Sequence, residues 1–371
     1  MSLKQFEKSD VMIHILVLVF ICIGLLMVFS SSAIMAEKRF GDPFFFLKRQ
    51  FMWAVIGLFA LIAARYINYN IWQKFSVVFL AVSTIMLILV LIPGIGVSVG
   101  GARRWLRFSF IGLQPSEFAK FALIAYTASW LDRKQSKIKQ TVILYIPKIL
   151  MFLAILLLIY KEPDLGTTVL IFMIVVSMHF VGGLDIKYLI ALFISSIPVL
   201  YVAIFSTAYR RRRILTFLDP WKDPQGSGYQ IIQSLLALGS GGIMGVGIGA
   251  SRSKLLYLPD AHTDFIFPII AEEMGMWGAI AVILLFAMFF WRGVVISLRA
   301  NDFFGRMLGF GITISIVYQA IINIAVAIAL MPTKGMPLPF ISFGGSSLVM
   351  AMFSVGVLLN ISSNYSKRKK A

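Results

Sequence analysis

Apolar residues in this chain come in long, nearly unbroken runs separated by polar segments. The runs occupy 11–33, 47–66, 74–93, 115–132, 141–160, 165–183, 187–207, 265–291, 305–330 and 340–361. Each is near the roughly 20 residues that carry a helix across a bilayer. The pattern therefore predicts an all-α polytopic membrane protein of about ten transmembrane helices, with a large loop at 208–264 between the seventh and eighth. Inside that loop, 229–250 approaches the hydrophobicity of a span. Its run GSGGIMGVGIG holds six glycines, a poor composition for an isolated spanning helix. The expectation is an amphipathic or re-entrant helix at 229–239 and a flexible loop at 239–251 bent over a cavity.

Two other segments break the helical pattern. Residues 94–114 are glycine-rich and then alternate (RWLRFSFIGLQ), which predicts a short hairpin or an amphipathic piece lying on the membrane surface. Residues 331–347 combine three prolines with Lys334 and a GG-SS sequence, and are expected as an irregular loop leading into the last span. The first run exceeds the apolar core of a cleaved leader, and Glu7 and Asp10 interrupt the basic start such leaders carry. It is expected as a retained span.

Composition agrees with the pattern. With 59% hydrophobic and 13% charged residues and a mean hydropathy of +0.89, too much apolar surface exists for a soluble core of this size. One cysteine, Cys22, and three histidines supply little for a disulfide or a transition-metal centre. The net charge of +18 is scattered between apolar runs, which speaks against nucleic acid and for anionic lipid or lipid phosphates. An even number of spans puts both termini on one side. The KRKK run at 367–370 with Arg133, Lys134, Lys137 and Lys139 makes that side cytoplasmic.

Cations on the opposite side then need a local reason. They are Arg103, Arg104, Arg107, Arg210 to Arg213, Lys222, Arg252, Lys254 and Lys334. For 210–213 ordinary contact with headgroups suffices. Arg103 and Arg104, beside the interfacial Trp105, are better explained by phosphate, whose oxygens match the forked guanidinium.

Ionisable groups near the apolar runs supply the candidate chemistry. Glu117 and Lys120 share a helical face and can pair, and charges inside a membrane are functional candidates by default. Glu162 and Asp164 sit before a helix start, where acids are favoured whatever else they do. Glu272 and Glu273 point about 100° apart, so at least one faces the bundle interior. Asp264 ends a polar loop directly before Phe265. Partial desolvation there would suit it to general-base work, whereas Asp260, earlier in the loop, is expected to be better solvated.

Five words carry a resemblance: GARRW at 101–105, QPSEFAK at 114–120, EPDLGT at 162–167, LPDAHTDFIF at 258–267 and PTKGMPLPFISFGGSSL at 332–348. In order and content they resemble the SEDS family of polytopic cell-wall glycosyltransferases, across nearly the whole chain. The resemblance implies one membrane domain over 1–371 whose extracytoplasmic loops 94–114, 208–264 and 331–340 form an active-site face. It also implies polymerisation of lipid II outside the cytoplasmic membrane, with inversion at the anomeric carbon of an undecaprenyl pyrophosphate-linked glycan. Asp264 would be the base on the acceptor hydroxyl. Arg103, Arg104 and Lys334, or a divalent cation (Mg or Mn), would stabilise the departing pyrophosphate. Glu117, Lys120, His262 and Thr263 would line the substrate site. Pyrophosphate leaves as an anion, so no carboxylic acid is needed on it.

Expected partners are a class B penicillin-binding protein transpeptidase and other divisome membrane proteins. PTKG at 332–335 and LPDAHTDFIF resemble the division branch, typified by FtsW, more than the elongation branch typified by RodA. A sporulation paralogue would look similar. The competing function is a lipid II flippase, although motif residues cluster at one face rather than on broken helices at the midplane.

Overall fold

The computed structural model describes residues 10–99, 101–108, 111–134, 146–254 and 261–368. Asp260, Lys137, Lys139, the start of the fifth apolar run and the end of the KRKK run lie outside the described residues.

Among the described residues each predicted span overlaps a helix, and one further helix of five residues falls between the second and third. In chain order these are α1 (Val11–Phe40), α2 (Phe45–Tyr66), the short α3 (Asn70–Lys74), α4 (Ser76–Leu91), α5 (Pro115–Lys134), α6 (Ile146–Lys161), α7 (Leu165–Val181) and α8 (Ile186–Phe205), followed after the large loop by α11 (Ile266–Leu298), α12 (Phe303–Ala327) and α13 (Gly345–Arg368). Six of them, α1, α2, α8, α11, α12 and α13, are long and apolar enough to cross a membrane; α4 and α7 are shorter apolar helices. The protein is a polytopic helical membrane protein.

Local signals set the helix ends. Asp10 caps α1 by accepting from Ile13 N, and Gly41 ends that helix in the left-handed region at φ 70°. Asp302 caps α12 through Gly305 N. Pro115 opens α5, where its missing N–H costs nothing.

The helices α1, α2, α11, α12 and α13 share one apolar core, and α4 to α7 build a second around Leu123, Ile155, Ile159 and Ile171. Small residues let α12 sit deep between them, most of its length buried. By contrast α8 turns Phe193, Ile197, Val199 and Val202 outward, as a helix facing lipid should.

Of the two forms expected for 94–114, the described residues show the strands of a hairpin: β1 (Gly96–Val99), β2 (Ala102–Phe108) and β3 (Ile111–Leu113) make an antiparallel sheet in that order. The 208–264 segment is less loop-like than its length suggests. It holds α9 (Ala208–Leu218), a single 3-10 turn at Pro220–Lys222, and α10 (Tyr229–Gly241), the amphipathic helix expected there.

The glycine run after α10 is pinned, contrary to the flexible loop expected. Val246 N and Gly247 N donate to the carbonyls of Glu272 and Glu273 at 3.0 Å each, and Met276 N donates to Gly242 O at 2.9 Å. Helix α11 breaks at Gly275 (φ 67°, ψ −165°) to offer those carbonyls. A side chain at Gly245 or Gly275 would overlap the facing backbone. Backbone lies directly on backbone, and only glycine permits it.

Candidate active site

Arg103 and Arg104 part on β2 where its ladder to β1 is irregular: Val97 pairs with Trp105 and Ser98 with Arg103, which leaves Arg104 as the extra residue of a bulge. Arg103 turns towards the end of α4, where Nη1 donates to Leu91 O at 3.2 Å. Arg104 reaches the turn between α6 and α7. Its Nε donates to Glu162 O at 3.0 Å and its Nη2 donates to Pro163 O.

Beside that turn, Asp164 caps α7, accepting from Thr167 N at 3.0 Å and from Thr167 Oγ1 at 2.9 Å. Its charge faces Lys334 on the loop 331–344. That loop is held from two further sides. Arg213 on α9 donates to Thr333 O at 2.8 Å. Asn323 on α12 donates to both Met336 O (2.8 Å) and Asp264 O (2.9 Å), tying the loop to the start of α11.

Asp264 is thereby placed against the loop. A Cβ at Gly335 would stand 3.2 Å from Asp264 Oδ2, so glycine leaves the carboxylate room beside the Lys334–Gly335 backbone. His262 is held by its carbonyl, which accepts from Phe343 N at 2.9 Å, and by its ring between Phe46 and Phe343. Thr263, between them, is half-buried. Asp264, Lys334, Asp164 and Arg104 therefore gather at one end of the bundle; Arg103 does not join them.

Glu117 and Lys120 form an ion pair at 2.8 Å, their side chains 8% and 12% exposed. Lys120 also donates to Gln319 Oε1 at 2.7 Å, and Gln319 Nε2 donates to Pro337 O at 2.9 Å. The pair lines a narrow crevice together with Ser315, Gln319, Ser347 and Ser354. Through Gln319 it is connected to the loop that carries Lys334.

Burial sets the electrostatics at the loop end. Desolvation holds the Lys334 ammonium below the usual lysine range, with Asp164 opposing the shift. Desolvation, reinforced by Asp164 and opposed by Arg104, pushes the Glu162 carboxyl up to about 8.

Lys254, Glu272 and Glu273 serve a different task. Glu272 accepts from Ser251 Oγ and from Arg252 N (3.0 Å), and Glu273 accepts from Ser30 Oγ (2.6 Å) and Lys254 Nζ (3.0 Å). Both glutamates are buried, and Lys254 is committed to Glu273 rather than open to a phosphate. Sequence reasoning passed over Gln319 and Asn323, and read Arg213 as a headgroup contact where it donates to Thr333 O. The first two were detectable as polar residues four apart, on one face of the apolar 305–330 run.

Among the described residues no group of three His, Cys, Asp or Glu side chains is arranged to hold a metal ion.

The family model described as "Cell cycle protein", covering FtsW, RodA and SpoVE, matches residues 10–367. The chain belongs to this family. Among curated FtsW/RodA/SpoVE relatives, the "Probable peptidoglycan glycosyltransferase FtsW" of Geobacter metallireducens is 44% identical over 363 residues, covering 98% of this chain and 97% of that one. "Stage V sporulation protein E" of Bacillus subtilis is 41% identical, covering 97% and 98%. Of solved structures, one described as "Structural coordination of polymerization and crosslinking by a peptidoglycan synthase complex" is similar with a TM-score of 0.79 at 26% identity, covering 96% and 98%. The rod shape determining protein RodA of Thermus thermophilus, at 24% identity, shares the fold with a TM-score of 0.70 over 95% and 96% of the two chains.

Proposed function

We infer that this chain is a peptidoglycan glycosyltransferase of the division type, polymerising lipid II at the outer face of the cytoplasmic membrane. Relatives named for that activity, matched over nearly their whole length, support the reaction class. The observation that carries the site is the placement of Asp264 beside the Lys334–Gly335 backbone, with Lys334 under the charge of Asp164 and Arg104 bonded to the adjacent 162–163 turn.

In this reading Asp264 takes the proton from the acceptor sugar's 4-hydroxyl as that oxygen attacks the anomeric carbon of the lipid-linked chain. The bond to undecaprenyl pyrophosphate breaks on the opposite side, and Lys334 and Arg104 stabilise the negative charge that develops there. Arg103 is turned to α4 and is the weaker candidate of the two arginines. Glu117 and Lys120 hold the crevice and, through Gln319, the register of the loop; His262 and Thr263 shape the approach to Asp264. The whole chain acts as one membrane domain of ten spans, both termini cytoplasmic, with the sheet, the 208–264 segment and the 331–340 loop outside. A class B penicillin-binding protein would take up the product strand for crosslinking at the septum, alongside other divisome membrane proteins.

Purified protein incubated with labelled lipid II provides the test. Glycan ladders that vanish in Asp264→Asn support the reading. Scrambling of labelled lipid II in liposomes without polymer would assign the chain to transport instead.

A further inference from the structure

Glu162 has no task in the mechanism above, yet its setting is the least ordinary in the site. It is fully buried, and neither carboxyl oxygen has a hydrogen-bond partner among the described residues. A buried ionised carboxylate without donors would be strongly disfavoured. Buried carboxylates elsewhere in this chain take donors: Glu272 takes a hydroxyl and backbone N–H groups, and Glu273 a hydroxyl and an ammonium.

The guanidinium closest in role is Arg104, and it does not bind the Glu162 side chain. It is spread over the carbonyls of Glu162 and Pro163 instead. The other charged groups here are Asp164, a like charge already consumed in capping α7, and Lys334, which faces Asp164 from the 331–344 loop. Arg104 therefore lies on the carbonyls of the turn, part-exposed, beside a buried carboxyl that it does not bond.

We propose that Glu162 is a positioning residue that works in its neutral form. Protonated, it lets Arg104 rest on the 162–163 carbonyls and face the donor's pyrophosphate. Ionised, it would draw the guanidinium down into the turn and oppose an anionic ligand beside it. The inference rests on reading Arg104 as a pyrophosphate partner. The Glu162 carboxyl, pushed up to about 8 by burial and Asp164, places the change just above neutrality. With an acid whose pKa is raised in the binding-competent state, the competent fraction is full below that value and falls as pH rises through it.

Binding of fluorescent lipid II to full-length Asp264→Asn protein in detergent isolates this effect from turnover. Its Kd should be flat from pH 6.5 to 7.5 and weaken about tenfold by pH 9, the loss expected when only the neutral form binds. Adding Glu162→Gln, a neutral isostere, should give a curve flat across the range with neutral-pH Kd within about threefold, as one altered contact near a binding site would leave it. In the active background, the wild-type pH effect should appear in KM rather than kcat, and Gln should remove it.

A flat curve in the parent overturns the proposal. So does a curve in the Gln variant that still weakens towards pH 9, which would hand the titration to Lys334. A Gln variant that fails to fold while the parent folds overturns the assignment of a working neutral form. If the parent binds no lipid II at any pH, the substrate reading itself fails, a result distinct from binding that ignores pH.

Discussion

Two clusters of charge, one enclosed around Glu273 and one part-exposed around Arg104 and Lys334, are built on opposite principles. At Glu273, Lys254 and Ser30 converge on one carboxylate oxygen, with side chains of Lys254 and Glu273 only 7% and 0% exposed, and Gly249 O takes a further donor from the lysine. At the other cluster, Arg104 holds backbone carbonyls, Asp164 is used as a cap, and no carboxylate lies within ion-pair distance of Lys334 among the described residues. A cation satisfied by a buried acid has nothing left for a ligand. Cations held only by carbonyls, or by a distant acid, keep their charge available to an anion. The first cluster is architecture; in the second, among the described residues, neither Arg104 nor Lys334 is in an ion pair with an acid.

The sharpest division between the two comes from their acids. Asp264→Asn should lower polymerisation by 10²–10⁴-fold, the usual loss for a general base, while yield and thermal unfolding in detergent stay at wild-type values. Asp260→Asn should remain within about tenfold of wild type, or roughly 1.4 kcal/mol in barrier. Ladders from Asp264→Asn at near wild-type rate, or the reverse pattern, would move the base elsewhere.

Glu273→Ala should do the opposite. It leaves Lys254 charged and buried without its acid, a loss of about 3–5 kcal/mol for a truly enclosed pair. Reduced yield and a lowered unfolding temperature are expected, with residual activity falling in proportion to folded protein. A well-folded but inactive Glu273→Ala would erase the distinction between the clusters.

How much of this was readable beforehand follows from which forces act locally. Spans were legible because a membrane helix must be apolar along its whole length, and the caps at Asp10, Asp164 and Asp302 use nearest-neighbour chemistry. Asp264, Lys334 and Arg104 were picked from motif words, and the structure draws them to one end of the bundle. What sequence could not give were long-range choices. Nothing local says that Arg103 turns to Leu91 O while Arg104 turns to the 162–163 turn; that depends on the bulge of β2 against β1 at Arg104. Equally, the glycine run looked flexible because its partners, the carbonyls freed at the Gly275 break, lie nearly thirty residues away in the chain.

Between the two extremes stands the Glu117–Lys120 pair, enclosed like the first cluster yet open to a crevice like the second. Glu117→Ala should cost several kcal/mol if Lys120 is left unpaired at low dielectric, seen as lost stability and activity together. The swap Glu117→Lys with Lys120→Glu restores the pair but reverses its direction, and the bond from Lys120 to Gln319 is lost. Partial recovery of stability with partial activity is expected. Full stability without activity would place the pair among the groups that touch substrate.

The smallest effect tests the open side of the comparison. Arg104→Lys keeps the charge but cannot reach the carbonyls of Glu162 and Pro163 with a fork while presenting another donor outward. A loss of about tenfold in kcat/KM is expected, near 1.4 kcal/mol, carried by KM for the lipid-linked donor. Arg103→Lys serves as the internal control. Its guanidinium donates to Leu91 O at the end of α4, away from the 162–163 turn, so the same change there should affect donor use less than at Arg104. Equal losses of donor use in both variants would show that their different backbone partners do not sort the two arginines by function. Unchanged kinetics in both would return them to contacts with lipid headgroups and leave Lys334 as the cation facing the pyrophosphate.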